Sequence, residues 1–237
     1  MKIGLISDVH ATLQPLREAL AFFEDEGVET ILCAGDVAGY GKQLDETVQI
    51  LIDSRCRVVM GNHDLWWLER SGFDIEGVAA AYLSNLPAVI EFKAAGKMIY
   101  MVHASPPDSF MDGIKLLDEK AFLIQQERHS WSCCLRNFHC DVLVVGHTHQ
   151  VFAEQLGNPL VINPGSTLFN HTCAILTLPE MKVQILPLSQ KEPVLSWNWG
   201  LEAAAWGRAK PASNAKLAIF QKRIALWHLS KNGYTLS

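Results

Sequence analysis

Short apolar runs alternate with polar clusters through the first 146 residues of the chain. The runs fall at 3–6, 30–33, 57–60, 98–102 and 142–145, and most are rich in β-branched residues. Such runs read as buried strands. Between the first two, Leu13, Leu16, Leu20 and Phe23 share one helical face, with Pro15 tolerated in a first turn and Gly27 as a stop. The span 44–51 reads as the next helix. Strands alternating with helices predict an α/β protein.

After Gly146 the texture shortens to alternating segments at 151–154, 160–162, 173–178 and 183–186, separated by Gly-Asn-Pro, Asn-Pro-Gly and Pro-Glu. These predict a meander of antiparallel strands. From about residue 190 the pattern changes again. Leu217, Phe220, Ile224 and Trp227 recur at three- and four-residue steps, and Lys191, Arg208, Lys210, Lys216, Lys222, Arg223 and Lys231 outnumber Glu192 and Glu202. The expected organisation is therefore a main domain over 1–187 and a basic helical appendix over 188–237. The appendix has three readings: packing onto the domain, contact with a second subunit in a homo-oligomer, and a surface for nucleic acid or another acidic partner.

Composition narrows the classes. Hydrophobic side chains make up 49% of the 237 residues and the net charge is -5, which excludes a mainly disordered chain and a surface built throughout for nucleic acid or anionic lipid. No run of about 18 apolar residues occurs, so neither a membrane span nor a secretory signal is expected. Six cysteines, two of them adjacent at 133 and 134, make a poor disulfide framework and suit a reducing, cytoplasmic setting.

The chemistry collects after the apolar runs. They are followed in turn by Asp8-Val9-His10, Gly35-Asp36, Gly61-Asn62-His63-Asp64, His103 and Gly146-His147-Thr148-His149. Residues just past the carboxyl ends of strands line the ligand crevice of open α/β sheets, so the five clusters should converge. Asp8, His10, Asp36, Asn62, His103, His147 and His149 offer oxygen and nitrogen donors without a thiolate, a set suited to Mn, Fe, Zn or Mg. Seven candidates exceed the roughly three protein ligands of a single catalytic zinc, so two divalent ions fit the count. Asp8 and His10, like His147 and His149, are i, i+2 pairs that point the same way in an extended chain.

These blocks resemble those of the calcineurin-like metallophosphoesterases: D-x-H, G-D, G-N-H-[DE], H-[GA] and G-H-[TS]-H, in that order. The resemblance covers about 1–187. Within that family the chain is similar to small bacterial and archaeal members, which share the stretch around Gly35-Asp36-Val37-Ala38-Gly39-Tyr40-Gly41 and the later Asn163-Pro164-Gly165-Ser166. The resemblance implies a four-layer α-β-β-α sandwich, two packed sheets flanked by helices. It further implies one metal on Asp8, His10 and His149, a second on Asn62, His103 and His147, and Asp36 bridging, with manganese favoured. The activity implied is metal-dependent hydrolysis of a phosphoric ester by in-line attack of a hydroxide shared by the two ions. Asn62 and His63 would contact the substrate, His63 would stabilise the transition state or protonate the leaving oxygen, and Asp64 would orient His63 or serve the turn at the helix start.

Departures define the branch. The protein-phosphatase pattern G-D-x-V-D-R-G is absent after Asp36, and Thr167-Leu168-Phe169-Asn170-His171 stands where many relatives carry an arginine. The substrate expected is a small phosphomonoester or phosphodiester, nucleotide-like compounds included. The rival readings are a partner-binding scaffold that keeps the fold, and a nucleic-acid phosphodiesterase that uses the basic tail. Three further features stand beside the blocks. Cys133, Cys134, Cys140, His129 and His139 lie close in sequence but match no zinc knuckle, and read as buried free thiols on a helix. Trp66 and Trp67 read as packing residues, with stacking on an aromatic leaving group as the alternative. The loop 105–113 is expected beside the site.

Overall fold

The structure is a computed structural model that describes residues 1–71 and 76–197. In chain order the elements are β1 (Lys2–Ile6), α1 (Leu13–Asp25), β2 (Thr30–Cys33), α2 (Leu44–Asp53), β3 (Arg57–Val58), α3 (Asn62–Ser71), α4 (Val78–Ser84), β4 (Val89–Ala94) and β5 (Lys97–Val102). They continue with α5 (Gln125–Cys134), β6 (Val142–Val144), β7 (Val151–Gln155), β8 (Leu160–Pro164), β9 (Thr172–Thr177) and β10 (Lys182–Pro187).

Two five-stranded mixed sheets result, ordered β10-β9-β1-β2-β3 and β4-β5-β6-β8-β7. Strands β1, β2 and β3 run parallel in the first, with β3 at its edge, and the inner strands β5, β6 and β8 run parallel in the second. The later strands do not form one meander, as their alternation predicts. β9 and β10 form an antiparallel pair in the first sheet, whereas β7 and β8 form one in the second, with β8 parallel to β6. Alternation reports half-buried strands and short turns, and it carries no signal for which sheet a hairpin joins.

The sheets face each other across a core in which Ile3, Leu5, Leu32 and Val59 of one meet Ile99, Met101, Val142, Val144 and Ile162 of the other, all fully buried. A second cluster, including Ile114, Leu135, Leu143, Phe152 and Leu156, lies on the far face of the second sheet. On the first sheet α1 buries Leu16, Ala19 and Phe23. Gly4 permits that approach, because a Cβ there would stand 2.7 Å from the Phe23 ring. Two mixed sheets flanked by helices are the expected sandwich. Helix α5 escapes a hydrophobic reading because none of its residues is buried. Cys133 and Cys134 on it are accordingly exposed, which corrects the expectation of buried thiols, and among them only Cys140 is buried.

No helix among the described residues is long and apolar enough to cross a membrane. Residues 188–197 continue past β10 along the domain: Leu188 donates its amide to the His171 carbonyl, Val194 to Asn170, and Trp197 to His149. The stripe and basic charges expected of the appendix beyond 197 lie outside the described residues.

Candidate metal centre

The five clusters follow five of the six parallel strands. Asp8 and His10 follow β1, Asp36 follows β2, Asn62 and His63 open α3 just past β3, His103 follows β5, and His147 and His149 follow β6. Both sheets thus contribute to one edge of the sandwich, and all seven predicted donors come together there.

The local backbone is unusual. Asp8 (φ 52°), His10 (52°), Asp36 (55°), His147 (66°) and His149 (48°) all occupy the left-handed region. Non-glycine residues seldom do so, at a cost of about 1–3 kcal/mol each, and such residues concentrate at functional sites. The i, i+2 pairs are therefore not the extended dipeptides that spacing suggests, because sharp left-handed turns aim their side chains. Those turns are tied down. The amide of Asp8 donates to the Gly35 carbonyl (3.0 Å), that of His10 to Asp36 (2.9 Å), and that of Gly146 to His103 (2.7 Å).

The donor atoms form two overlapping groups. His149 Nε2 lies 3.2 Å from Asp8 Oδ1 and 3.2 Å from His10 Nε2. Asn62 Oδ1 lies 2.9 Å from both His103 Nε2 and His147 Nδ1. Asp36 stands between them, its Oδ2 3.5 Å from His103 Nε2, and it shares one 4.8 Å cluster with Asp8 and His103 and another with His10 and His63. Metal–nitrogen and metal–oxygen bonds of about 2.1 Å hold neighbouring donors roughly 3.0–3.4 Å apart, so these separations fit cation coordination. The imidazole orientations agree. His10 Nδ1 faces the Ala38 carbonyl (3.2 Å) and His103 Nδ1 the Ala34 carbonyl (2.6 Å), leaving each Nε2 turned into the cluster.

The charge balance points the same way. Burial would raise the Asp8 carboxyl, but His149 and His103 overcome it and hold Asp8 at about 2. Asp36 is likewise held well below the carboxylate range by His103 and His63 against its burial. Burial pulls His10 to about 3 and His147 to about 4, whereas Asp36 and Asp8 outweigh burial at His103 and lift it to about 9. Two buried anions facing mostly neutral imidazoles draw in positive charge, which is what a divalent cation provides.

His63 sits at the edge of this cluster, half-buried. Its amide donates to Asp36 Oδ1 (2.8 Å), which fixes its backbone against the central carboxylate. Burial lowers its imidazole, opposed by Asp36 and Asp8. Asp64 serves differently from a partner that orients the His63 ring. Its Oδ2 accepts the amides of Asp36 (3.0 Å) and Gly61 (2.9 Å), and its Oδ1 accepts that of Ala38 (2.7 Å). Burial and the neighbouring Asp36 push Asp64 up to about 7, against the pull of the Ala38 and Gly61 amides. The helix-start alternative describes this better: Asp64 staples the Asp36 loop to the first turn of α3. Gly61 belongs to the same staple, since a Cβ there would collide with the Asp36 carboxylate and amide.

Several supports carry no metal-ligand signature in the sequence. Ser7 Oγ donates to Asp8 Oδ2 (2.6 Å), and Ser166 Oγ donates to the Asp8 carbonyl (2.6 Å). Asn163 Nδ2 reaches the Gly146 carbonyl (2.9 Å), and Asn170 Nδ2 reaches that of His149 (2.9 Å) and that of Val194. The Asn163-Pro164-Gly165-Ser166 stretch was the available signal, and it braces both the first and last ligand loops. Loop 105–113 lies beside the site as expected: a Cβ on Gly113 would come 2.8 Å from His147 Cδ2. Trp66 packs its ring against His63, the centroids 4.9 Å apart.

The calcineurin-like phosphoesterase superfamily domain matches residues 1–180. A phosphodiesterase of Methanocaldococcus jannaschii is 27% identical over 194 residues, covering 81% of this chain and 96% of the relative. An uncharacterized protein of the same organism is 25% identical over 185 residues, covering 69% of this chain and 68% of the relative. The crystal structure of a metallophosphoesterase from Sphaerobacter thermophilus superposes with a TM-score of 0.59 at 21% identity, over 81% of this chain and 90% of that one. A two-sheet sandwich thus carries, at one edge, an Asp/His/Asn donor cluster that could hold metal ions. The chain belongs to the calcineurin-like phosphoesterase superfamily.

Proposed function

We propose that this protein hydrolyses a small phosphoester, with a diester favoured over a monoester, using two divalent cations of which manganese is preferred. Asp8, His10 and His149 would hold one, Asn62, His103 and His147 the other, and Asp36 both. The observation that carries this reading is the convergence of seven donors from five loops and both sheets, five of them in left-handed backbone. The preference for a diester leans on the phosphodiesterase of M. jannaschii, and the six free thiols suit a reducing cytoplasm.

When bound, such cations supply Lewis acidity to the phosphoryl oxygens and a water acidified toward neutrality. The chain's own contribution is positioning and proton handling. Asn62 and His63, one residue apart at the start of α3, place an amide and an imidazole over the phosphate. His63 is the proton donor to the departing oxygen, and the Asp36 carboxylate on its amide keeps it in place. No serine or cysteine nucleophile is called for, so no phosphoenzyme forms.

The test is elemental analysis of protein purified without chelator, together with hydrolysis of bis-p-nitrophenyl phosphate and p-nitrophenyl phosphate in added Mn²⁺. About two ions per chain and turnover, faster for the diester, is the expected result. A protein that binds no ion and turns over neither ester with any divalent metal overturns the reading in favour of a scaffold.

A further inference from the structure

The last donor in the chain is held by residues that lie past β10. Between 194 and 197 the backbone runs antiparallel to 149–151, with Ser196 opposite Gln150. The Trp197 amide donates to the His149 carbonyl (3.2 Å), and the Val151 amide donates to that of Leu195 (2.8 Å). Asn170 ties both sides of this short ladder. Its Nδ2 donates to the carbonyls of His149 and Val194, and its own carbonyl accepts the Val194 amide (3.1 Å).

The rings follow the same route. Phe169, itself buried, stacks on the His149 imidazole with centroids 5.0 Å apart at 24°, and the half-buried Trp197 packs on Phe169 at 4.8 Å and 45°. Phe169 also meets His10 edge-on at 5.5 Å, so it touches both imidazoles of the group that includes Asp8. His10 and His103 are oriented through Nδ1 by the Ala38 and Ala34 carbonyls, whereas His149 carries Phe169 across its ring face. The His149 backbone is left-handed, at φ 48°, a conformation that persists only where its surroundings over-determine it. The 194–197 segment supplies part of that determination.

We propose that Trp197 is a positioning residue for His149. Through Phe169 and the short ladder it sets the affinity for a cation at Asp8, His10 and His149, and leaves that at Asn62, His103 and His147 unchanged. The proposal rests on the two-cation reading above. Partners that orient a ligating imidazole commonly change metal affinity by about 10- to 100-fold when they are removed.

The test is calorimetric titration of Mn²⁺ into chelator-treated, full-length protein, in two backgrounds that each keep one donor group complete. In His103→Ala, adding Trp197→Ala should raise the Kd of the remaining ion about 10- to 100-fold. In His149→Ala, the same addition should leave the remaining ion unchanged. Trp197→Phe keeps a ring against Phe169 and should restore most of the affinity lost in the first background. Trp197→Leu, which retains apolar bulk without the planar ring, takes the place of alanine if that variant does not fold. Equal losses in both backgrounds would mark Trp197 as a general stabiliser and overturn the positioning role, as would no loss in His103→Ala or a phenylalanine variant as weak as alanine. Two ions bound alike by wild-type and Trp197→Ala protein sink this role alone. A wild-type protein that binds no Mn²⁺ sinks the two-cation reading and the affinity claim with it.

Discussion

Replacing Asp64 by asparagine separates a structural staple from a catalytic group. The side chain is fully buried, and its two oxygens take three backbone amides from two segments. Asparagine keeps the shape but has one acceptor. Its best orientation turns Oδ1 toward Asp36 and Gly61 and faces the amide group toward Ala38, leaving one buried N–H unpartnered and adding donors with no acceptor. Each unsatisfied buried donor costs about 1–3 kcal/mol, so the Ala38 amide and the stranded side-chain amide together cost roughly 2–6 kcal/mol, and relief from burying a charge beside Asp36 returns part of that. The net expectation is about 2–4 kcal/mol of lost stability. For a chain of this size that corresponds to a fall of roughly 5–15 °C in Tm. The assay is urea unfolding of chelator-treated protein by circular dichroism, which removes metal linkage, with metal content and turnover measured alongside. Weaker metal retention should accompany the lower midpoint, because the Ala38 amide, two residues past Asp36 in the same loop, is released. An asparagine variant with unchanged midpoint and full metal content but no turnover would refute this reasoning and return Asp64 to the chemistry.

Other outcomes follow from the same geometry. His63→Ala should leave metal content nearly intact while lowering turnover about 10²–10⁴-fold, and unchanged kcat would remove His63 from the reaction. Asp36→Asn should loosen both ions together, read by elemental analysis, and loss of a single ion would contradict its central position. Because the donors come from both sheets, Mn²⁺ at 100 times its Kd should stabilise the fold by about 2.7 kcal/mol, and a Tm indifferent to Mn²⁺ would argue against a preformed site. The Met98 amide and the Lys97 ammonium hold the Asp141 carboxyl below its ordinary range. A folded pKa below the unfolded one stabilises above the unfolded range and fades as pH falls through it, so Asp141→Asn should flatten the acid limb of stability below about pH 4. The group is partly exposed, so the effect should stay under about 1 kcal/mol; identical acid limbs in urea titrations of the two proteins would remove the linkage.

Five of the six parallel strands were legible because each is a short apolar run followed by a cluster with glycine, asparagine, aspartate or histidine, whereas β8 read as part of a meander. The seven donors were legible for the same reason, since a polar cluster after a buried strand has one place to go. The pairing of β9 with β1 left no local trace, because it joins residues about 170 positions apart. Helix α3 begins on Asn62 itself, so its first turn read as a loop of ligands. Asp64 shows the limit most clearly. An aspartate two residues after Asn62 has the same letter whether it serves chemistry or three backbone amides, and only the position of those amides tells them apart. The left-handed backbone of Asp8 and His10 was equally hidden, because residue identity does not announce φ where glycine is absent.

The place of β1 in its sheet sets a timetable for the chain. Strand β1 has β2 on one side and waits for β9, about 170 residues later, on the other. The loop carrying Asp8 stays unbraced until Ser166 has emerged, and the His149 carbonyl waits for Asn170. Early segments therefore spend most of synthesis without their final neighbours, and closing contacts of such long sequence separation slows folding. The two outermost donor loops thus gain their braces only from segments made after every donor, so the place for a cation is complete only once Ser166 and Asn170 have docked.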